Sequence, residues 1–141
     1  MSRRPRFGRS FKPLRRPALW GGLWIAAIAA VVVLSLAPSV PMPDVPDGDK
    51  LGHFLAYFAL AAAAVQLYAR WPALLGAGVG LVLLGIGLEY AQGALTDSRM
   101  QDPADALANT LGVIAGLATR LTPFRDLLLR FDTQGIDGLG R

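Results

Sequence analysis

Four apolar stretches, parted by short polar or proline-broken segments, set the pattern of the chain. Ala18 to Ala37 runs for twenty residues without a charge, and a helix of that length, rising 1.5 Å per residue, matches a hydrocarbon core of ~30 Å. Leu51 to Ala69 is apolar apart from His53, Tyr57, Gln66 and Tyr68, and Ala73 to Leu95 carries a single charge at Glu89. Ala104 to Leu121 is diluted by Asp105, Asn109 and two threonines. Between the first two stretches, Pro38 to Lys50 holds four prolines and three aspartates in thirteen residues, too broken by fixed φ angles and missing donors to be helix. Arg70-Trp71-Pro72 predicts a tight turn. After Leu121, Thr122-Pro123 reads as an N-cap with proline at the first helical position, opening a short helix with Phe124, Leu127, Leu128 and Phe131 apolar. The pattern predicts an all-α fold: a membrane-spanning four-helix bundle with spans at about 18–37, 51–69, 73–95 and 104–121. An interfacial helix and a flexible tail complete it over 122–141.

Composition supports lipid as the solvent. The 141 residues are 53% hydrophobic and 17% charged, with a mean hydropathy of +0.42, which sets the chain apart from soluble domains of this size. Seven of the fourteen Lys and Arg lie in the first sixteen residues, where there is no acid, so the remainder carries 7 − 10 = −3. Residues 1–17 therefore predict a disordered basic tail, drawn to anionic headgroups rather than to nucleic acid, because it directly precedes an apolar run. That run exceeds the 7–15 residues of a secretory signal, and Pro38 after Ala37 argues against cleavage. The absence of cysteine excludes disulfides, thiolate nucleophiles and Cys-ligated metal. Basic residues then orient the spans: the tail, Arg70, Arg120, Arg125, Arg130 and Arg141 fall on one side, Lys50 and Arg99 on the other. Both termini are expected in the cytoplasm.

Polar groups inside a spanning helix are costly, at ~2.5–3.5 kcal/mol for a carboxylate, so each should face the bundle interior. At 100° per residue Asp102, Asp105, Asn109, Gly112 and Gly116 fall within an arc of roughly 80°. Lys50, His53 and Tyr57 share one face of the second span, with Ala61 and Ala64 continuing it, and Gly78, Gly85, Glu89 and Gln92 share one face of the third. Because the second and fourth spans enter from outside and the third leaves there, these groups coincide in depth. The expectation is one polar pocket near the outer leaflet, lined by three helices. Gly76-x-x-x-Gly80 and Gly112-x-x-x-Gly116 read as close helix contacts, and Trp20, Trp24, Tyr68 and Trp71 as interfacial anchors.

The same residues form an ordered set of motifs: D-K-L-G-H-F-L-A-Y at Asp49 to Tyr57, E-Y-A-Q at Glu89 to Gln92, and R-M-Q-D-P-A-D-A-L-A-N-T-L-G-V-I-A-G at Arg99 to Gly116. Together they resemble the VanZ-like family across roughly half the chain, from Asp49 to about Arg120. Asp102 stands where a serine is more usual, and Gly93-Ala94 replaces a bulkier apolar pair. The resemblance implies a small multi-pass protein of the bacterial cytoplasmic membrane, in a family some of whose members are associated with resistance to teicoplanin-type glycopeptides. Its motif positions imply a ligand-binding set of Asp49, Lys50, His53, Tyr57, Glu89, Gln92, Arg99, Asp102, Asp105 and Asn109.

Three readings of the pocket follow. In the first it is a structural network, with Glu89 and Asp105 paired to His53, Arg99 or Lys50. In the second it is a ligand site facing the envelope, where Arg99 and Lys50 hold a phosphate or carboxylate while Gln92 and Asn109 read a sugar or peptide. Lipid-linked cell-wall precursors and glycopeptides fit that chemistry. In the third, His53 with Glu89 or Asp105 serves as general base and orienter, or as ligands of a divalent metal. One histidine and no cysteine make a thin zinc set, so neither a metal nor a cofactor is expected. The lipid bilayer is the expected partner. The pattern leaves the oligomeric state open.

Overall fold

The computed structural model describes residues 10–38, 46–97 and 100–134, and over them the chain is all-α. Pro17 opens α1 (Pro17–Leu36), as expected of a residue whose missing N–H costs nothing in a first turn. It is followed by α2 (Gly48–Leu67), α3 (Trp71–Leu95, with Pro72 in its first turn), α4 (Pro103–Ala118) and α5 (Leu127–Gln134). Two 3-10 turns, Thr119–Leu121 and Pro123–Asp126, join α4 to α5. Thr122 caps the second turn by accepting from the Phe124 amide at 3.3 Å, with Pro123 at the first position, as its sequence predicts.

Helices α1, α2 and α3 are long and apolar enough to cross a membrane. At 16 residues α4 measures roughly 24 Å, and the 3-10 turn that continues it brings the segment to roughly 30 Å. The prolines of Pro38 to Lys50 delay α2 less than expected. It begins at Gly48, after Asp47 in the left-handed region at φ 57°, so Asp49 and Lys50 already stand on its first turn.

The core lies where α2 meets α4, and small residues make that meeting close. A Cβ on Gly112 would stand 2.3 Å from the Phe54 carbonyl oxygen, and one on Gly116 2.6 Å from both Ala61 Cβ and the Phe58 carbonyl oxygen. Gly78 and Gly85 pack against Leu117 and Asn109 in the same way, but Gly76 and Gly80 have nothing within 4 Å. The expected Gly76-x-x-x-Gly80 contact is therefore corrected: the packed glycines of α3 are those on the face of Glu89, and Gly76 and Gly80 look outward. Tyr57, Leu60, Ala61, Leu81 and Val113 fill the centre, with Trp24 of α1 against them. Trp24 is more than an interfacial anchor, because its indole N–H donates to the Leu60 carbonyl at 2.9 Å and its ring meets Tyr68 edge-on at 5.8 Å.

The tail also departs from expectation. Residues 10–16, assigned above to disorder, lie along the α2–α3 turn: the Lys12 amide donates to Leu67 O at 2.8 Å and the Ala69 amide to Ser10 O at 2.8 Å. Lys12 and Leu14 are buried, and the Lys12 ammonium meets Asp126 at 2.9 Å and donates to the Arg125 carbonyl. Burial pushes the Lys12 amine below its usual value, opposed by Asp126. Asp132 of α5 accepts from the Arg15 amide, the Arg16 amide at 3.4 Å and the Trp20 indole at 2.9 Å, covering the N-terminus of α1. Backbone pairing and this carboxylate supply what a charge count omits. Residues 1–9 and 135–141, also assigned to flexible ends, lie outside the described residues.

The carboxyls of Asp126 and Asp132 are held below the ordinary carboxylate range, first by Lys12 and first by the Trp20 indole, respectively. A depressed folded pKa contributes stability that is present above the unfolded value and disappears as pH falls through the folded one. Acidification below about pH 4 is thus expected to release residues 10–16, a strap across the α2–α3 turn, from α5. Protection of the Arg15 and Arg16 amides, taken as exchange relative to the intrinsic rate at each pH, should fall there, and at neutral pH in Asp132→Ala. Equal protection in wild type and Asp132→Ala at neutral pH would contradict the assignment.

Candidate functional site

Three local devices bring polar side chains to the end of the bundle where α2 and α4 begin and α3 ends. On α2, Asp49 and His53 are one turn apart, so the carboxylate lies over the ring, with Asp49 Oδ1 3.7 Å from His53 Nε2. At the start of α4, Asp102 is the N-cap and accepts from the Ala104 amide at 2.9 Å, with Pro103 next. This is the same cap grammar as Thr122-Pro123. On α3, Glu89 is buried and its Oε1 accepts from the Asp102 backbone amide at 2.7 Å, tying the end of α3 to the start of α4.

His53 sits at the centre. Its Nδ1 faces the Asn109 side-chain oxygen at 3.1 Å, and its Nε2 is 3.7 Å from Asp105 Oδ2. An amide oxygen only accepts, so Nδ1 carries the proton in that contact. Lys50 spans Asp102 Oδ2 at 3.4 Å and Asp105 Oδ1 at 3.9 Å. The Ala104 amide first, and Lys50 with it, hold the Asp102 carboxyl below its usual range. Asp105 is 6% exposed, and its Oδ1 has no hydrogen-bond partner among the described residues. The buried Tyr57 hydroxyl likewise lacks one.

Seven of the ten sequence-derived positions therefore meet in one cluster: Asp49, Lys50, His53, Glu89, Asp102, Asp105 and Asn109. Tyr57 lies beneath it, its ring against the Gly85 backbone. Gln92 is buried as expected but turns elsewhere, its amide donating to the Ser35 carbonyl at 2.7 Å. That carbonyl lies in the last turn of α1, so this bond ties α3 to α1. Arg99 lies outside the described residues.

The ligand-capable set among the described residues is Asp49, His53 and Asp105, whose donor atoms lie within 4.8 Å of one another. Side-chain exposure rises from 9% at Asp105 and 13% at His53 to 72% at Asp49, so the set opens outward at Asp49. Chemically, the arrangement offers an oriented imidazole, carboxylates for a cation, and an accessible ammonium at Lys50 for an anion.

A second polar layer, at the opposite end, was not foreseen. Arg120 donates to the carbonyls of Tyr68 at 3.0 Å and Ala69 at 2.7 Å and lies over the Trp71 ring. Gln66 donates to Phe124 O at 3.0 Å and accepts from the Leu128 amide at 3.1 Å. A lone glutamine in an apolar run was the available signal for Gln66, and it reads equally as dilution of a span.

No family model, curated protein or solved structure matches the chain.

Proposed function

We propose that the chain is a VanZ-like multi-pass protein of the bacterial cytoplasmic membrane whose polar cluster faces outward and binds a component of the cell envelope. In this reading α4, extended by its 3-10 turn, is the fourth span, both termini are cytoplasmic and the strap with α5 lies on the inner surface. The observation that supports it is the meeting of residues from three separated motifs around His53, with Lys50 beside them at 41% side-chain exposure. Lys50 pairs with Asp102 and Asp105 within the network, and its exposure leaves part of the ammonium for an anionic headgroup as well. Glycopeptide-type compounds are the alternative ligand class, with modulation of resistance as the outcome. A membrane-embedded enzyme on a lipid-linked substrate is the second reading, favoured by the Asn109-oriented imidazole with carboxylates at its far nitrogen.

Full-length protein in nanodiscs should bind a polyprenyl-pyrophosphate-linked cell-wall precursor saturably. Lys50→Ala should weaken this about tenfold, the equivalent of ~1.4 kcal/mol for one charge-assisted contact. Because Lys50 is accessible, the variant should stay folded. Absence of binding by folded wild type to both precursor and glycopeptide would leave the network reading in its place. A reporter fused at Arg141 tests orientation and should report cytoplasm.

A further inference from the structure

We infer that Asp49, His53 and Asp105 form a binding site for one divalent first-row cation of the zinc or manganese class. The argument starts from the proton on His53. Asn109 Oδ1 at 3.1 Å requires N–H at Nδ1, so in the neutral ring Nε2 presents a lone pair. Facing that lone pair, both at 3.7 Å, are Asp49 Oδ1 and Asp105 Oδ2. Three electron-rich atoms within 4.8 Å of one another repel unless something positive lies between them. At 3.7 Å the separations are those of charge pairs rather than of hydrogen bonds, and a metal ion is one positive centre that satisfies both carboxylates at once. Two edges of the set are 3.7 Å and all three atoms lie within 4.8 Å of one another, against ~3–3.5 Å between ligands that stand ~2.0–2.2 Å from a metal, so the exposed Asp49 carboxylate has to draw inward to close on an ion.

Two further observations point the same way. Asp105 is more than nine-tenths buried, its Oδ2 faces His53, and among the described residues its Oδ1 has no hydrogen-bond partner, with the Lys50 ammonium 3.9 Å away. A buried carboxylate left so weakly paired is costly. Asn109 on the remote ring nitrogen is the device by which metal-ligating histidines are held in tautomer and orientation. One imidazole with two carboxylates joins a nitrogen donor to hard oxygens, a set that zinc and manganese both accept. Three protein ligands also leave positions open on the exposed Asp49 side, where an anionic oxygen of a ligand can bind. Only this last point rests on the proposed envelope function.

The test uses detergent-purified full-length protein, stripped by chelator and titrated with MnCl2 alone, reading loss of the free-ion electron paramagnetic resonance signal, with ZnCl2 as competitor. One saturable Mn²⁺ site per chain, displaced by Zn²⁺, is expected. His53→Ala should weaken it about 100-fold and Asn109→Ala roughly 10–100-fold. Asp49→Asn should weaken it about tenfold, and since that side chain is 72% exposed, this variant keeps the test decisive if the buried ones fail to fold. Lys50→Ala should tighten metal binding by removing a like charge, while weakening precursor binding. The two properties therefore fail separately. Folded wild type that takes up neither ion, or an Asp49→Asn variant that binds as wild type does, would overturn the site.

Discussion

Gly112→Ala is expected to part α2 from α4 and to take the candidate site with it. The added Cβ would meet the Phe54 carbonyl oxygen at 2.3 Å and the Phe58 amide nitrogen at 3.1 Å, both backbone atoms of α2 that no rotamer change can move. Ordinary contact needs ~3.5–4.0 Å, so α4 must retreat by about 1 Å. Overpacking of this kind costs typically ~1–3 kcal/mol, more when backbone must shift. The opposing gain in helix propensity is ~1 kcal/mol. Packing therefore wins. The effect on function should be larger than the loss of stability, because Phe54 adjoins His53 and Asn109 lies one turn before Gly112. A shift of α4 lengthens the 3.1 Å His53–Asn109 contact that orients the ring. Gly76→Ala and Gly80→Ala are the internal controls: with nothing within 4 Å, they should leave the melting temperature in detergent unchanged or slightly raised. If Gly112→Ala melts with these controls and binds Mn²⁺ as wild type does, the close α2–α4 approach is not what holds the site.

Glu89→Leu should have the second largest effect, through a backbone group. Glu89 Oε1 accepts from the Asp102 amide at 2.7 Å in a buried setting, and a leucine leaves that donor without its partner. A hydrogen bond to a charged group contributes ~1.5–3 kcal/mol, and a buried donor left unpaired costs ~1–3 kcal/mol. Removing the buried carboxylate returns part of this as relieved desolvation, so a net loss of about 2 kcal/mol is expected. Glu89→Gln keeps an oxygen acceptor and should lose less than half as much. Hydrogen exchange at the Asp102 amide distinguishes this from a general loosening. It should accelerate in Glu89→Leu, with the Trp24-linked centre still protected. Unchanged protection at Asp102 would show that the α3–α4 tie does not depend on Glu89.

Much of the candidate site was legible because helical periodicity converts spacing into direction. His53 and Tyr57 on α2, Glu89 on α3, and Asp105 and Asn109 on α4 each fall on one stripe, and apolar surroundings leave such groups only the interior to face. Stripe membership does not say which neighbour a side chain meets. Gln92 shares the Glu89 face, yet its place about one turn nearer the end of α3 brings it to the Ser35 carbonyl of α1. Gly76 and Gly80 have the spacing of a close-packing pair but look away from the bundle. The basic tail misled for a related reason. Charge and proline counts describe a segment alone, whereas residues 10–16 are held by carbonyls and carboxylates 50 to 120 residues away in sequence, at Leu67, Asp126 and Asp132.

What the sequence by itself determined is the all-helical character, the three long apolar helices, the cap at Thr122-Pro123 and the inward stripes of polar residues. These follow from local propensity and from the cost of exposing polar groups to lipid, both of which act within one helix. Only the tertiary structure decided that Asn109 holds the His53 ring from behind while Asp49 and Asp105 face its other nitrogen. It alone also decided that Glu89 binds a backbone amide and that the tail closes under α5. These depend on the separation and rotation of helices set by Gly112 and Gly116, and contacts among residues far apart in sequence exist only once that packing is made.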